Sequence, residues 1–371
     1  MQKIAFELPL NSVSFGDVSI LILRTIFEQE RINGQKYDIS LFPIGHVDFS
    51  AQTQNLEFQK WINSKIQNGL ENHSKDTNIF KLWHLSNGIQ SYSKNQTLLS
   101  FYELDEPTKI ELNAAKNNKT LFSSKYTCEI FRQFGVETGH INLAFDSYNF
   151  NQKLKKIHSD GRIVFNVLGK FEKRKGHEKV IKAWIRKYGN NPKYALQCAI
   201  FNPFLGRTSE EINNNNQQIA SRLVDGKKPY NVSFYPKMQE TSVYNEFLNS
   251  SDIVLGLSGG EGWGLGEFQS VALGKHAVLL KAHSYKDWAT DEMVTWVNPS
   301  GKIPAYDGLF FQKGQSINQG NIFNFNEEEF LAACDTAVRK VENNRVNQSG
   351  LTLQTTYTKE KLVDNIISHL T

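Results

Sequence analysis

Three cysteines are all the chain has, Cys128, Cys198 and Cys334, and they are widely spaced and odd in number. That excludes a disulfide framework and predicts reduced thiols in a cytoplasmic setting. No cysteine or histidine group has metal-ligand spacing, so no metal site is expected. Apolar runs stop at strand length. A bilayer-crossing helix needs about 20 consecutive apolar residues, which rules out a transmembrane segment. The first ten residues, MQKIAFELPL, have one lysine and no long apolar region, and they read as a strand and not as a leader peptide. Charge of one sign is scarce too. A formal net charge of +4 over 371 residues fits a phosphate-bearing partner no better than an ordinary surface. Internal repeats and heptads are absent.

What is present is a globular composition, 39% hydrophobic and 22% charged, on a chain too long for one ordinary core. Short apolar runs alternate with helical spacing along its whole length. The first set of strands is expected at Lys3–Leu8, Asp38–Pro43, Ile79–Leu85, Thr97–Tyr102 and Ile141–Phe145. A polar turn, Asn11–Asp17 with Gly16, precedes a helix over Val18–Phe27. The polar, basic stretch 151–161 reads as a linker. A second set of strands and helices then begins at Ile163 and runs to 356, where Asn326 and Glu329 have capping-box spacing. Residues 357–371 carry a last amphipathic helix. Two consecutive alternating sets predict an α/β protein with two Rossmann-like, doubly wound domains, 1–150 and 162–356, facing a cleft.

Two stretches of the second domain carry chemistry. Residues 169–176, GKFEKRKG, lie between a strand and a helix. Their four cations surround a helix N-terminus, where the dipole and the side chains favour an anion together; read alone, the octet is equally a basic surface turn. Residues 251–280, SDIVLGLSGGEGWGLGEFQSVALGKHAVLL, run strand, Gly-rich turn, helix, strand. Such a unit brings bare backbone amides to the carboxyl edge of a sheet. A dinucleotide fingerprint is excluded, because each possible start puts Leu265, Glu267 or Gln269 where the third glycine must stand.

In this order the two stretches resemble the family-4 glycosyltransferases of the GT-B fold, which write them G-R-x-x-x-x-K-G and E-G-F-G-L-P-x-x-E-A-x-A-x-G. Lys170 and Lys175 fall at the cationic positions of the first, and Glu261, Gly262, Trp263, Gly264, Leu265, Ala272 and Gly274 match the second. The likeness covers most of the C-terminal half, SSKYTCEIFRQFGVETGHINLAFDSYNF at the crossover, and the last helix; the first hundred residues match only in outline. It implies a retaining, metal-independent glycosyltransferase using a nucleoside-diphosphate sugar. Lys170 and Lys175 would bind the diphosphate, Glu261 the transferred sugar, and the amides around Gly262, Trp263, Gly264 and Leu265 would complete the cradle. Gly16 would let the acceptor-side loop approach the donor.

The sequence departs from the family in three places. Gln269 stands where a glutamate holds the nucleotide ribose, Lys170 replaces an arginine, and Gly266 replaces a proline. In the N-terminal domain the family's histidine has no clear counterpart. His84 and Glu103 are the catalytic candidates, with Asp105 and His46 behind them, and Tyr102 stands where the histidine is expected. Gln269 and that missing histidine leave a second reading open, a GT-B shell that binds a nucleotide or glycan without chemistry. The acceptor stays open among glycans, lipids and DNA carrying a modified base. For DNA, the residues that would track a backbone are Lys60, Trp61, Lys65, Lys81, Trp83 and Lys94.

Overall fold

The computed structural model describes all residues except 53, 153–159 and 227–228. Most of the expected linker therefore lies outside the described residues. The chain clusters into two units: 1–149 with 314–319 and 354–371, and 150–313 with 320–353. No described helix is long and apolar enough to cross a membrane.

The first unit alternates β1 (Gln2–Pro9), α1 (Ser14–Asn33), β2 (Tyr37–Ile44), α2 (Leu56–Asn72), β3 (Ile79–Leu82), β4 (Gln96–Ser100), α3 (Lys109–Lys116), β5 (Lys119–Phe122), α4 (Lys125–Gln133) and β6 (Gly139–His140). All its strands are parallel, in the order β2-β1-β3-β4-β5-β6. Residues 4–9 of β1 are buried without alternation, as a parallel strand covered on both faces requires. Segment 314–319 joins this unit through the Asn318 N–H, which donates to Glu111 (2.9 Å), and a bridge between Glu106 and Gln319.

The second unit runs β7 (Ile163–Lys170), α5 (His177–Tyr188), β8 (Tyr194–Phe201), α6 (Ser209–Leu223), β9 (Val232–Phe234), α7 (Thr241–Ser250), β10 (Ile253–Gly256), α8 (Leu265–Ala272), β11 (His276–Leu280), α9 (Tyr285–Trp288) and β12 (Thr295–Val297). After these come a hairpin, β13 (Pro299–Pro304) and β14 (Asn321–Phe325), and then α10 (Glu327–Asn343), α11 (Gln348–Leu351) and α12 (Leu353–Thr356). The six-stranded sheet is parallel, ordered β12-β11-β10-β7-β8-β9. Its core joins Phe165, Trp184 and Leu196 to Phe330 and Ala337 of α10. The last helix, α13 (Lys359–Ser368), packs on α1 within the first unit.

Several expectations change. Gly16 lies inside the first turn of α1 and not in a turn before it. A Cβ there would sit 2.1 Å from the Asn11 carbonyl oxygen, so tight local packing explains the glycine. Residues 141–145 leave the sheet, and β6 is confined to Gly139–His140. Asn326 caps α10 by accepting from the Glu328 and Glu329 N–H groups, but the Glu329 carboxylate accepts from Asn298 instead of closing a capping box.

Of the four lysines suggested for a DNA backbone, Lys60 is exposed and the other three are otherwise engaged. Lys65 is buried, 3.6 Å from Glu30 and over the Trp61 ring, and the Trp61 indole N–H donates to the same Glu30. Lys94 pairs with Asp76 at 2.6 Å. Lys81 is 2% exposed; its Nζ meets Glu7 at 2.9 Å and donates to the Asn87 and Gln90 carbonyls. Removing one partner of such a pair strands a buried charge, which costs about 3–5 kcal/mol. Lys81→Met is therefore expected to destabilise the first unit by about that much in urea denaturation, and adding Glu7→Gln should recover part of the loss.

Candidate functional site

In the second unit the chain starts at β7, goes outward to β8 on one side, and later returns to β10 on the other. The β7/β10 boundary is thus the topological switch point, where loops at the carboxyl ends of neighbouring strands diverge and leave a crevice. The octet 169–176 leaves β7 there and the Gly-rich stretch leaves β10. Two signals far apart in sequence share one place.

Their side chains interlock. Glu261 is 6% exposed and receives two cations on the same oxygen, Arg174 Nη1 at 2.7 Å and Lys175 Nζ at 2.6 Å. Arg174, also buried, donates to the Gly260 carbonyl and pairs with Glu172 at 3.0 Å. The other oxygen of Glu172 meets Lys170 Nζ at 2.9 Å, and this lysine is 36% exposed. Lys173 turns away, donating to the Pro304 and Tyr306 carbonyls. Glu267, fully enclosed, lies 4.0 Å from Lys175 Nζ.

Burial by itself would raise the Glu261 pKa, but Arg174 and Lys175 outweigh it and hold it at about 2. For Lys175, burial lowers the pKa and the carboxylates of Glu261 and Glu267 more than restore it, so its ammonium is retained. Glu267 has less compensation, and burial raises its pKa. Two histidines brace the loops as neutral rings. Burial and then Lys175 push His177 to about 3, and its Nε2–H donates to the Leu168 carbonyl at 3.1 Å. His283, lowered by burial to about 4, donates from Nε2 to the Ser258 carbonyl at 2.8 Å.

Backbone geometry completes the crevice. Gly264, with φ 80°, is the N-cap of α8; a Cβ there would lie 2.3 Å from the Tyr285 ring, so both conformation and space require glycine. After it, the N–H groups of Leu265 and Gly266 head the first turn of α8, while the Glu267 N–H is met by its own carboxylate. Gly266 stands where the resembled family has proline. A Cβ there would come within 2.3 Å of Leu168 Cδ1, so a larger residue would require that side chain to shift. Gly262 is buried and Leu265 half-buried. The Trp263 ring is not a ligand surface. It is 2% exposed and packs edge-on against Phe268, while its carbonyl accepts from the Trp288 indole N–H. Gln269 is 4% exposed, and its Oε1 has no hydrogen-bond partner among the described residues, an orphaned acceptor one turn into α8.

Of the first unit's candidates, His84 follows β3, is exposed, and packs against Phe15 with ring centroids 4.8 Å apart. Phe15 directly precedes Gly16 after β1, so His84 and the Gly16 turn meet at the β1/β3 switch point of that sheet. Glu103 and Asp105 are half-buried after β4, and His46 is exposed after β2. Tyr102 is a core residue. It is buried against Phe131 and donates to Glu111 at 3.3 Å, and burial followed by Glu111 drives its pKa up.

No family model and no curated protein matches this sequence. Solved structures do match, along the whole chain. A sucrose-phosphate synthase from Thermosynechococcus elongatus is 13% identical, with 99% of this chain and 98% of that one covered at a TM-score of 0.64. HepE from Anabaena, solved with UDP and glucose, is 14% identical over 100% and 99% at 0.60. WaaG, described as a glycosyltransferase involved in lipopolysaccharide biosynthesis, is 12% identical over 99% of each chain at 0.62. The fold is GT-B. At these identities the likeness establishes architecture alone, and the chemistry must come from the GT-B crevice itself.

Glu172 was not singled out from the sequence, and Arg174 counted there only as one of the octet's four cations. The alternation Glu172-Lys173-Arg174-Lys175 shows charge but not which cation turns inward; that depends on the left-handed Gly176 and the short 3₁₀ turn over Lys173–Lys175. The Glu261 carboxylate has a depressed pKa, so its stabilisation is complete above its ordinary 4.5 and is lost as pH falls toward about 2. Glu261→Gln is expected to lower stability at pH 7 by on the order of 3 kcal/mol. The gap to the parent protein should narrow between pH 4.5 and 2 in melting experiments, and a gap independent of pH would refute the assignment.

Proposed function

We propose that this GT-B protein is a retaining, metal-independent glycosyltransferase that moves a sugar from a nucleoside-diphosphate sugar to an acceptor. One observation carries the reading: Lys170, Lys175, Glu261 and the open N-terminus of α8 converge at the β7/β10 switch point. In the reaction the bond from the anomeric carbon to the diphosphate breaks, and a bond from that carbon to the acceptor oxygen forms on the same face. The acceptor's proton passes to the departing phosphate, so no protein base is required. Charge growing on the phosphate is stabilised by Lys170, Lys175 and the α8 amides, as fixed cations and dipoles do best in a water-poor site. These cations serve the role a divalent ion has elsewhere.

Without a donor, Lys175 is neutralised by Glu261. A bound diphosphate competes for its ammonium, and the shared oxygen of Glu261, still held by Arg174, gains a lone pair free to accept from a sugar hydroxyl. The buried, unpartnered Oε1 of Gln269 suits a ribose hydroxyl donor, which supports the assignment of Gln269 in place of a glutamate. HepE was solved with UDP and glucose, and a UDP-sugar is accordingly the first donor to try. Cys128, Cys198 and Cys334 are all buried free thiols, which suits the cytoplasm. His84, beside the Gly16 turn, is the first unit's best candidate for the acceptor side, ahead of Glu103. The departure at Gln269 favours one rival, a shell that binds the nucleotide-sugar and never consumes it.

Incubation with UDP-, GDP- and ADP-sugars, followed by mass spectrometry, is expected to show release of a nucleoside diphosphate that persists in EDTA. Lys175→Ala and Glu261→Ala should each reduce turnover by about 100-fold or more. Thermal stabilisation by a donor without any release, with every acceptor tried, would favour the rival. Neither binding nor release would sink both.

A further inference from the structure

Two phenylalanines of the second unit are not explained by its core. Phe204 is 53% exposed and Phe310 half-buried, and they meet edge to face with ring centroids 5.2 Å apart. Lys170 Nζ lies 5.4 Å from one centroid and 4.9 Å from the other, within the range at which a ring face attracts an ammonium. The same ammonium meets Glu172 at 2.9 Å, and Glu172 is itself fixed by Arg174.

Exposed rings gain little from burial, yet both of these sit on constructed turns. Asn202, 1% exposed, accepts from the Phe204 N–H and donates to the Phe171 carbonyl. Asp307 accepts from the N–H groups of Leu309, Phe310 and Phe311, and Phe311 is buried as an anchor. Each turn is tied to the basic octet, the first through Phe171 and the second through Lys173, which donates to the Pro304 and Tyr306 carbonyls. Two independent loops thus deliver two rings to one ammonium.

We infer that Phe204 and Phe310 are positioning residues that clip the Lys170 ammonium in place for a phosphate. The inference rests on the donor-binding role given to Lys170 above. A lysine is a point charge on a flexible stem and lacks the orienting fork of an arginine. The rings and Glu172 supply from outside the restraint that an arginine would carry in itself.

Two measurements decide it. In protein labelled with 13Cε-lysine, the Lys170 ε-methylene resonance is identified by its loss in Lys170→Arg. Ring currents should place its protons upfield of the other lysines, and Phe204→Leu/Phe310→Leu should return them to the common envelope. An unshifted resonance, or one the double variant leaves in place, overturns the clip. Phe204→Leu alone, at an exposed position, gives the same readout at smaller size if the pair disturbs folding. Calorimetric binding of UDP, GDP and ADP then tests the consequence. The ring substitutions should weaken the tightest of the three about fivefold with Lys170 present, and less than twofold in Lys170→Ala. Equal losses in both backgrounds would mean that the rings touch the ligand directly, and would overturn the inference. Failure of the parent protein to bind any of the three counts against the donor reading, while the Lys170 resonance still decides the clip.

Discussion

A single carboxylate oxygen of Glu261, shared by Arg174 and Lys175, holds the crevice of the second unit together. An isolated carboxylate at that depth would cost several kcal/mol and would take up a proton instead. With two cations it stays ionised, and the contact locks the loop after β7 to the loop after β10. Arg174 extends the lock to the Gly260 carbonyl and to Glu172, and Glu172 extends it to Lys170. The chain of charges therefore runs from a buried centre to a half-exposed ammonium. Each link fixes the next, and the flexible side chains of three cations are reduced to one arrangement.

The lock forms where it does because of strand order. Parallel strands need crossover helices, and a sheet that begins at a central strand must wind first one way and then the other. Loops at the switch point have helices leaving in opposite directions, so they alone border an open crevice. In the second sheet those loops follow β7 and β10, and in the first they follow β1 and β3. The basic octet and the Gly-rich stretch occupy the former; Phe15-Gly16 and His84 occupy the latter.

Most of this architecture was legible in the residues. Unalternating apolar runs such as Ile163–Leu168, followed by helical spacing over Gly176–Tyr188, allow little besides parallel α/β units; most strands came close to their expected limits, while α1 runs over Ser14–Asn33 where Val18–Phe27 was expected. The expectation failed where local pattern loses to packing. Ile141–Phe145 is apolar because it is buried, with its Phe145 N–H donating to the Tyr357 carbonyl, and not because it pairs in the sheet. The β13–β14 hairpin escaped notice because Pro299, Gly301 and Pro304 read as loop. At the site, glycine spacing and charge singled out the two loops that follow the neighbouring strands β7 and β10. Whether a given side chain faces the crevice or the interior is a matter of backbone dihedrals that composition does not encode. Trp263 turned inward to an aromatic cluster, and Arg174, one of four neighbouring cations, became the buried clasp.

That difference between neighbouring cations has a consequence for the proposed reaction. Arg174 has three acceptors, spread over Glu172, Gly260 and Glu261, and its planar fork suits several fixed partners at once. A transient ligand would have to displace these fixed partners of a buried guanidinium. Lys175 has one close partner and a rotatable stem, so it can exchange a carboxylate for a phosphate without leaving Glu261 bare. A buried ion pair with one permanent and one exchangeable cation thus resolves two opposed demands. Before a donor binds, the crevice is neutral enough to remain folded; once one is bound, a positive charge is still there to place against the leaving group.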